Sequence, residues 1–152
     1  MSTESTMRLA QEYHLAGFNC AEAVLKALVE EFGLRDCNVP AVATGFGGGI
    51  GRTGGVCGAL TGAVMALGIA AGRSAAEQAE LKAQVNQAAL SVVREFEREV
   101  GSTLCRDISG FVLCIPEQME EWKRQRISET RCRQAIESAV KAASGIISRL
   151  KG

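Results

Sequence analysis

Apolar side chains recur at intervals of three and four along most of the chain, and no stretch shows the alternation of period two that a half-buried strand needs. The first helical stretch runs from about Thr3 to Ala16, with Met7, Leu9, Ala10, Tyr13 and Ala16 apolar, and Gly17 predicts its end. Asn19 is placed to cap a second helix whose apolar positions are Ala21, Val24, Leu25, Leu28 and Val29, stopping near Gly33. Farther on, Ser74 with Glu77 reads as a capping box that opens a helix through Leu81, Val85, Ala88, Val92 and Phe96 to Val100, ended by Gly101. Ser102 or Thr103 starts a short segment reaching Ile108, Phe111 and Val112. Pro116 resets the chain, and Glu117 to Arg126 reads as a polar helix. Ser128 is the expected cap of a last helix carrying Ile136, Val140, Ala143 and Ile147. The predicted fold class is all-α, a single-domain bundle of about six helices over residues 1–152.

Between these stretches lies a segment of different character. Glycine stands at positions 45, 47, 48, 49, 51, 54, 55, 58 and 62, too densely for an ordinary helix or strand throughout, so its first part is expected to be a loop. Such a loop suits either a buried site that needs close backbone approach or a tight packing crossover. After Cys57 the chain is uncharged to Gly72, and Gly58, Gly62, Ala66 and Ala70 repeat every four residues. That stripe makes a smooth face for close helix packing and marks a buried Gly/Ala-rich central helix. The uncharged run from Thr53 to Gly72 has the length of a membrane span, but its glycine and alanine make it weakly hydrophobic, and no membrane insertion is expected.

Composition narrows the function. A chain of 152 residues with 47% apolar content can bury a real core. Seventeen basic and seventeen acidic residues give a formal charge of zero, so no nucleic-acid partner is expected. Met1 to Arg8 lacks a basic region leading into an apolar stretch, which predicts a cytoplasmic protein. In that reducing compartment, six cysteines are more often free, ligating or catalytic than paired in structural disulfides.

Four of them, Cys20, Cys57, Cys105 and Cys132, fall at or near predicted helix starts. A helix start presents free N–H donors and the positive end of the macrodipole, so it favours thiolate over thiol. Any one of these cysteines taken alone reads as a small buried hydrophobe. Their spacings of 37, 48 and 27 are too long for a zinc finger or a ferredoxin run, and no C-x-x-C pair occurs. Spacing therefore leaves open whether they meet.

The residues Gly17-Phe18-Asn19-Cys20-Ala21-Glu22-Ala23-Val24, then Cys57-Gly58-Ala59-Leu60-Thr61-Gly62, then Cys105 and Cys132, resemble the bacterial and archaeal C_GCAxxG_C_C family. The resemblance extends from about Gly17 to Ala143. It implies that Cys20, Cys57, Cys105 and Cys132 are the family's four signature cysteines and that the activity is redox. A similar domain occurs in split-Soret cytochromes, which implies an iron-sulfur cluster as one use of the cysteines. The chain has no C-x-x-C-H motif, so covalent haem is not implied.

Two redox mechanisms follow as expectations. Four thiolates hold an iron-sulfur cluster that transfers electrons, or Cys57, with loop amides free to face its sulfur, attacks an oxidant or disulfide and Cys20 resolves it. The partner is then a redox protein or a small oxidant. The alternative is a non-redox helical module, with structural zinc on the same thiolates or a small-residue face that makes a homodimer. Cys37 reads as an exposed loop residue and Cys114 as core, either being a candidate resolving thiol. His14, the single histidine, reads as structural. Gly49 to Gly54 matches a dinucleotide fingerprint on paper but lacks the strand before it. Arg52 and Arg106 are the cations nearest Cys57 and Cys105 in sequence, each read first as solvated surface, and Trp122 reads as a half-buried packing residue.

Overall fold

A computed structural model describes residues 2–151. The helices are α1 (Thr3–Leu15), α2 (Cys20–Glu31), α3 (Gly58–Ala71), α4 (Ala79–Val100), α5 (Cys105–Ser109), α6 (Pro116–Arg124) and α7 (Arg131–Lys151), with short 3₁₀ turns at Ala41–Phe46 and Ile127–Glu129. Six of the α-helices have seven or more residues, and the described residues contain no strand, so the all-α expectation holds.

Local chemistry sets most boundaries. Ser2 caps α1, its hydroxyl accepting from the Ser5 N–H at 3.1 Å. Asn19 and Glu22 form a reciprocal capping box at α2, so two orphan donors are satisfied where Cys20 enters the helix. Pro116 occupies the first turn of α6, and Gly101 ends α4 in the left-handed conformation at φ 97°. Three expected caps fail: at α5 the cap position is Leu104, without a side-chain bond to the helix, and Ser102 accepts from the Leu104 N–H instead. The Ser74–Glu77 box does not form, because the Gln78 side chain accepts from the Ser74 and Ala75 N–H groups and folds that segment into a turn, so α4 begins at Ala79. Ser128 lies before the 3₁₀ turn closes, and α7 begins at Arg131.

Helix α3 lies at the centre, packed against α2, α4 and α7. Its buried residues include Gly58, Ala59, Leu60, Gly62, Ala63, Ala66 and Leu67. The glycine stripe meets α2 at Ala21: a Cβ on Gly62 would lie 2.5 Å from the Ala21 carbonyl oxygen, and one on Gly58 3.0 Å from the Ala21 nitrogen. Around this contact Leu25, Leu28, Val92, Phe96, Ile136, Val140 and Ile147 are fully buried, each large aliphatic contributing roughly 1.5–3 kcal/mol on leaving water.

The glycine loop is not extended. Gly48, Gly49, Ile50, Gly51 and Arg52 all have positive φ, between 59° and 78°, making a left-handed turn. This conformation costs roughly 1–2 kcal/mol at a residue with a Cβ, here Ile50 and Arg52. Backbone bonds from Gly54 to Gly48 and from Gly55 to Gly49, both 3.0 Å, hold it. The dinucleotide match is therefore accidental, as its missing strand suggested.

Candidate functional site

Each of the four cysteines occupies a helix start. Cys20 opens α2, Cys57 is the residue before α3, Cys105 opens α5, and Cys132 is the second residue of α7. The left-handed turn directs the chain so that Val56 forms an isolated antiparallel bridge with Leu104. Cys57 N–H donates to Thr103 O at 2.8 Å and Cys105 N–H to Gly55 O at 2.7 Å, which sets two cysteines side by side. Close packing of α3 on Ala21 brings the start of α2 to the same place. All four cysteines line one cavity of about 720 Å³.

The thiols are free and unequal. The largest influence on Cys20 and on Cys132 is each other, with the Cys20 thiol acting as donor toward the Cys132 sulfur. That donation holds the Cys132 thiol below the ordinary value, against the opposing effect of its burial, and the Trp122 indole N–H and the Arg131 charge favour its thiolate further. The same donation keeps the proton on Cys20, whose acidity is weakened also by burial and by the negative charge that would form at Cys132. The two titrate as a unit holding one proton between them at the first ionisation. Cys57 differs. The N–H groups of Ala59 and Leu60 face its sulfur and favour thiolate, as expected for a helix start, but burial outweighs them and pushes its pKa up to about 12. Burial and the potential Cys132 charge also raise Cys105, with the Ser109 hydroxyl working the other way. Each sulfur resists ionisation once a neighbour is charged, so the site favours a single thiolate on Cys132.

Four thiols on one wall are the donor set of a four-cysteine iron-sulfur or zinc site. Their placement is different: among the described residues, no three His, Cys, Asp or Glu side chains are grouped as a shared metal ion requires. Cys20 and Cys132 act chiefly on each other, and burial favours the protonated form of Cys57 and Cys105 beside them.

Two residues that the sequence reading left outside the site lie on the cavity wall. His14 lies in the last turn of α1 with Nδ1 3.0 Å from the Phe18 carbonyl. A carbonyl only accepts, so Nδ1 carries the proton and Nε2 is a bare acceptor, buried without a partner. Burial lowers the His14 pKa and keeps the ring neutral. Trp122 also lines the cavity, its indole N–H buried without a hydrogen-bond partner and favouring the thiolate of Cys132. The available signals were position: His14 closes the helix just before the turn leading to Cys20, and Trp122 is a donor-bearing aromatic in an otherwise charged helix. Arg52 lines the cavity, whereas Arg106 packs on Gly54 and the cation that acts on Cys132 is Arg131. Cys37 and Cys114 lie outside the cavity lining, both exposed, which corrects the expectation that Cys114 is core: it follows the buried Leu113 into the surface turn ahead of Pro116.

No described helix is long and apolar enough to cross a membrane. The family model described as "Putative redox-active protein (C_GCAxxG_C_C)" matches residues 18–146, a span containing all four cavity cysteines. No curated protein and no solved structure matches.

Proposed function

This chain belongs to the C_GCAxxG_C_C family, and from that premise we propose that its redox chemistry is thiol–disulfide exchange at the Cys20–Cys132 pair. The observation that carries this reading is that Cys20 and Cys132 line the same cavity and act on each other, with Cys132 as the acidic member. Cys132 is the nucleophile, in the place that the sequence reading gave to Cys57, because depth of burial outweighs the free amides at Cys57.

The Cys132 thiolate attacks a disulfide R–S–S–R, forming a Cys132–S–S–R mixed disulfide and expelling R–S⁻, which takes the Cys20 proton. The Cys20 thiolate then attacks the Cys132 sulfur, closing the Cys20–Cys132 disulfide and releasing the second R–S⁻. Two electrons pass from the protein to the substrate. Closing the disulfide requires the two sulfurs to reach the S–S length of about 2.05 Å. Trp122 and Arg131 stabilise the starting thiolate, and Cys57 and Cys105 remain protonated beside it.

An iron-sulfur cluster on Cys20, Cys57, Cys105 and Cys132 is the second reading, supported by their common cavity and requiring the sulfurs to draw together. Anaerobic purification with iron and sulfide analysis separates the two, followed by thiol alkylation against pH in single serine variants. The exchange reading expects no stoichiometric iron, a fast-alkylating thiol lost in Cys132→Ser and kept in Cys57→Ser, and a Cys20–Cys132 disulfide in the peptide map after oxidation. Stoichiometric iron with sulfide, or a fast thiol that survives Cys132→Ser, overturns it.

A further inference from the structure

The four sulfurs occupy only part of the wall of a cavity of about 720 Å³. Volumes of several hundred cubic ångströms are those of pockets that enclose small organic ligands, whereas exchange with a protein disulfide needs little more than access to one sulfur. The remaining wall has a definite chemical character. Phe18, Met119 and Trp122 give it an apolar side, with the Trp122 donor against Cys132. Arg52 and Lys123 are exposed on the same lining, and among the described residues neither is in an ion pair. One carboxylate, Glu22, lines the cavity, and both its oxygens are engaged, one accepting from the Asn19 N–H at 3.0 Å and the other from the Thr44 hydroxyl at 2.8 Å. Two cations therefore remain available to a ligand anion. On another part of the wall His14 offers its bare, buried Nε2, which can only accept a proton or a hydrogen bond.

We infer that the cavity binds a low-molecular-weight disulfide of an amino-acid or small-peptide thiol, with its carboxylates at Arg52 and Lys123, an N–H group on His14 Nε2 and its S–S bond at Cys132. The inference rests on the exchange reading above and names the substrate class for that site. The steps are those already written: attack by Cys132 breaks the substrate S–S bond, the departing thiolate takes the Cys20 proton, and closure of Cys20–Cys132 releases the second thiol. The two cations serve twice, drawing the carboxylated disulfide into the cavity and holding it where the reacting sulfurs meet.

Four probes separate the recognition elements: oxidised glutathione has carboxylates and N–H groups, dithiodipropionate has carboxylates alone, hydroxyethyl disulfide is neutral, and cystamine is cationic. Trp122, the single tryptophan, reports oxidation of the adjacent Cys132 by fluorescence in anaerobic stopped flow. At low ionic strength oxidised glutathione reacts roughly tenfold or more faster than hydroxyethyl disulfide, in the range electrostatic focusing gives, and cystamine reacts slowest. Arg52→Gln with Lys123→Gln removes that preference, read as the ratio of the oxidised glutathione rate to the hydroxyethyl disulfide rate in the same variant. His14→Phe slows oxidised glutathione but leaves dithiodipropionate unchanged. Equal rates for carboxylated and neutral probes in the wild type, or a preference that survives the double substitution, overturn the inference while leaving exchange intact. If no probe oxidises the protein, the exchange reading falls instead. Calorimetry of oxidised glutathione on Cys132→Ser then decides the ligand class separately: saturable binding lost in Arg52→Gln/Lys123→Gln supports it, and no binding overturns it.

Discussion

Helix α3 contains two interior glycines whose replacement by alanine should act in opposite directions. At Gly62 a Cβ would fall 2.5 Å from the Ala21 carbonyl oxygen and 3.2 Å from the Ala21 Cα, both backbone atoms that no rotamer change can move. Restoring ordinary contact requires α2 to retreat from α3 by close to 1 Å. Overpacking of that kind costs about 1–3 kcal/mol, against which alanine returns about 1 kcal/mol of helix propensity. Gly68, also inside α3, has nothing within 4 Å of its Cβ position, so Gly68→Ala keeps the propensity gain without the clash. The two variants should therefore differ by about 2 kcal/mol, which for a chain of this size is roughly 4–8 °C in Tm. Because Ala21 follows Cys20, Gly62→Ala should also loosen the Cys20–Cys132 contact and raise the pH at which Cys132 alkylates. Thermal melting and alkylation profiles of both variants test this together. A Gly62→Ala protein as stable as Gly68→Ala, with an unmoved alkylation profile, would refute the argument that the α2–α3 contact positions the thiol pair.

Three further outcomes follow from the same structure. Cys57 holds its proton more tightly folded than unfolded, its pKa raised from about 9 to about 12, so its contribution is complete below pH 9 and withdrawn as pH rises toward 12. Urea unfolding should show wild type losing roughly 2 kcal/mol relative to Cys57→Ala between pH 9 and 10.5, and parallel pH curves would contradict this. Cys20→Ala removes the S–H donor that lowers Cys132, so the alkylation midpoint of Cys132 should move to higher pH; an unchanged midpoint would assign the effect to Trp122 and Arg131. Gly49→Ala places a Cβ 2.4 Å from the Gly55 nitrogen at a φ of 78°, and it should destabilise by several kcal/mol and free the Val56–Leu104 bridge, read by melting and by amide exchange at Cys57 and Cys105.

Several helix boundaries were legible in the sequence because they depend on neighbouring residues. The Asn19 cap, Pro116 and Gly101 act within one turn, and so did the reading that put each of the four cysteines at a helix start. The failure at α4 has the same scale: serine and glutamate at the right interval competed with the Gln78 side chain, which takes the amides that Ser74 and Ala75 would have supplied. Convergence of the sulfurs is a different quantity, set by contacts between residues far apart in the chain such as Gly62 with Ala21 and Cys105 with Gly55. The family pattern implied it; the spacings could not.

Reactivity lies a further step away, because it is decided by a balance between opposing effects. At Cys57 the sequence correctly exposes the amides that favour a thiolate, yet burial, the larger effect, depends on everything packed above it. At Cys132 burial is opposed by three partners, Cys20, Trp122 and Arg131, of which only Arg131 is adjacent in the chain. His14 shows the same separation: its carbonyl partner is four residues away and local, but the cavity that makes its bare nitrogen available is built by loops and helices that meet only in the folded chain. Which cysteine is nucleophilic is thus a property of the assembled wall, and substitutions at Trp122 or Arg131 should alter Cys132 chemistry without touching any cysteine.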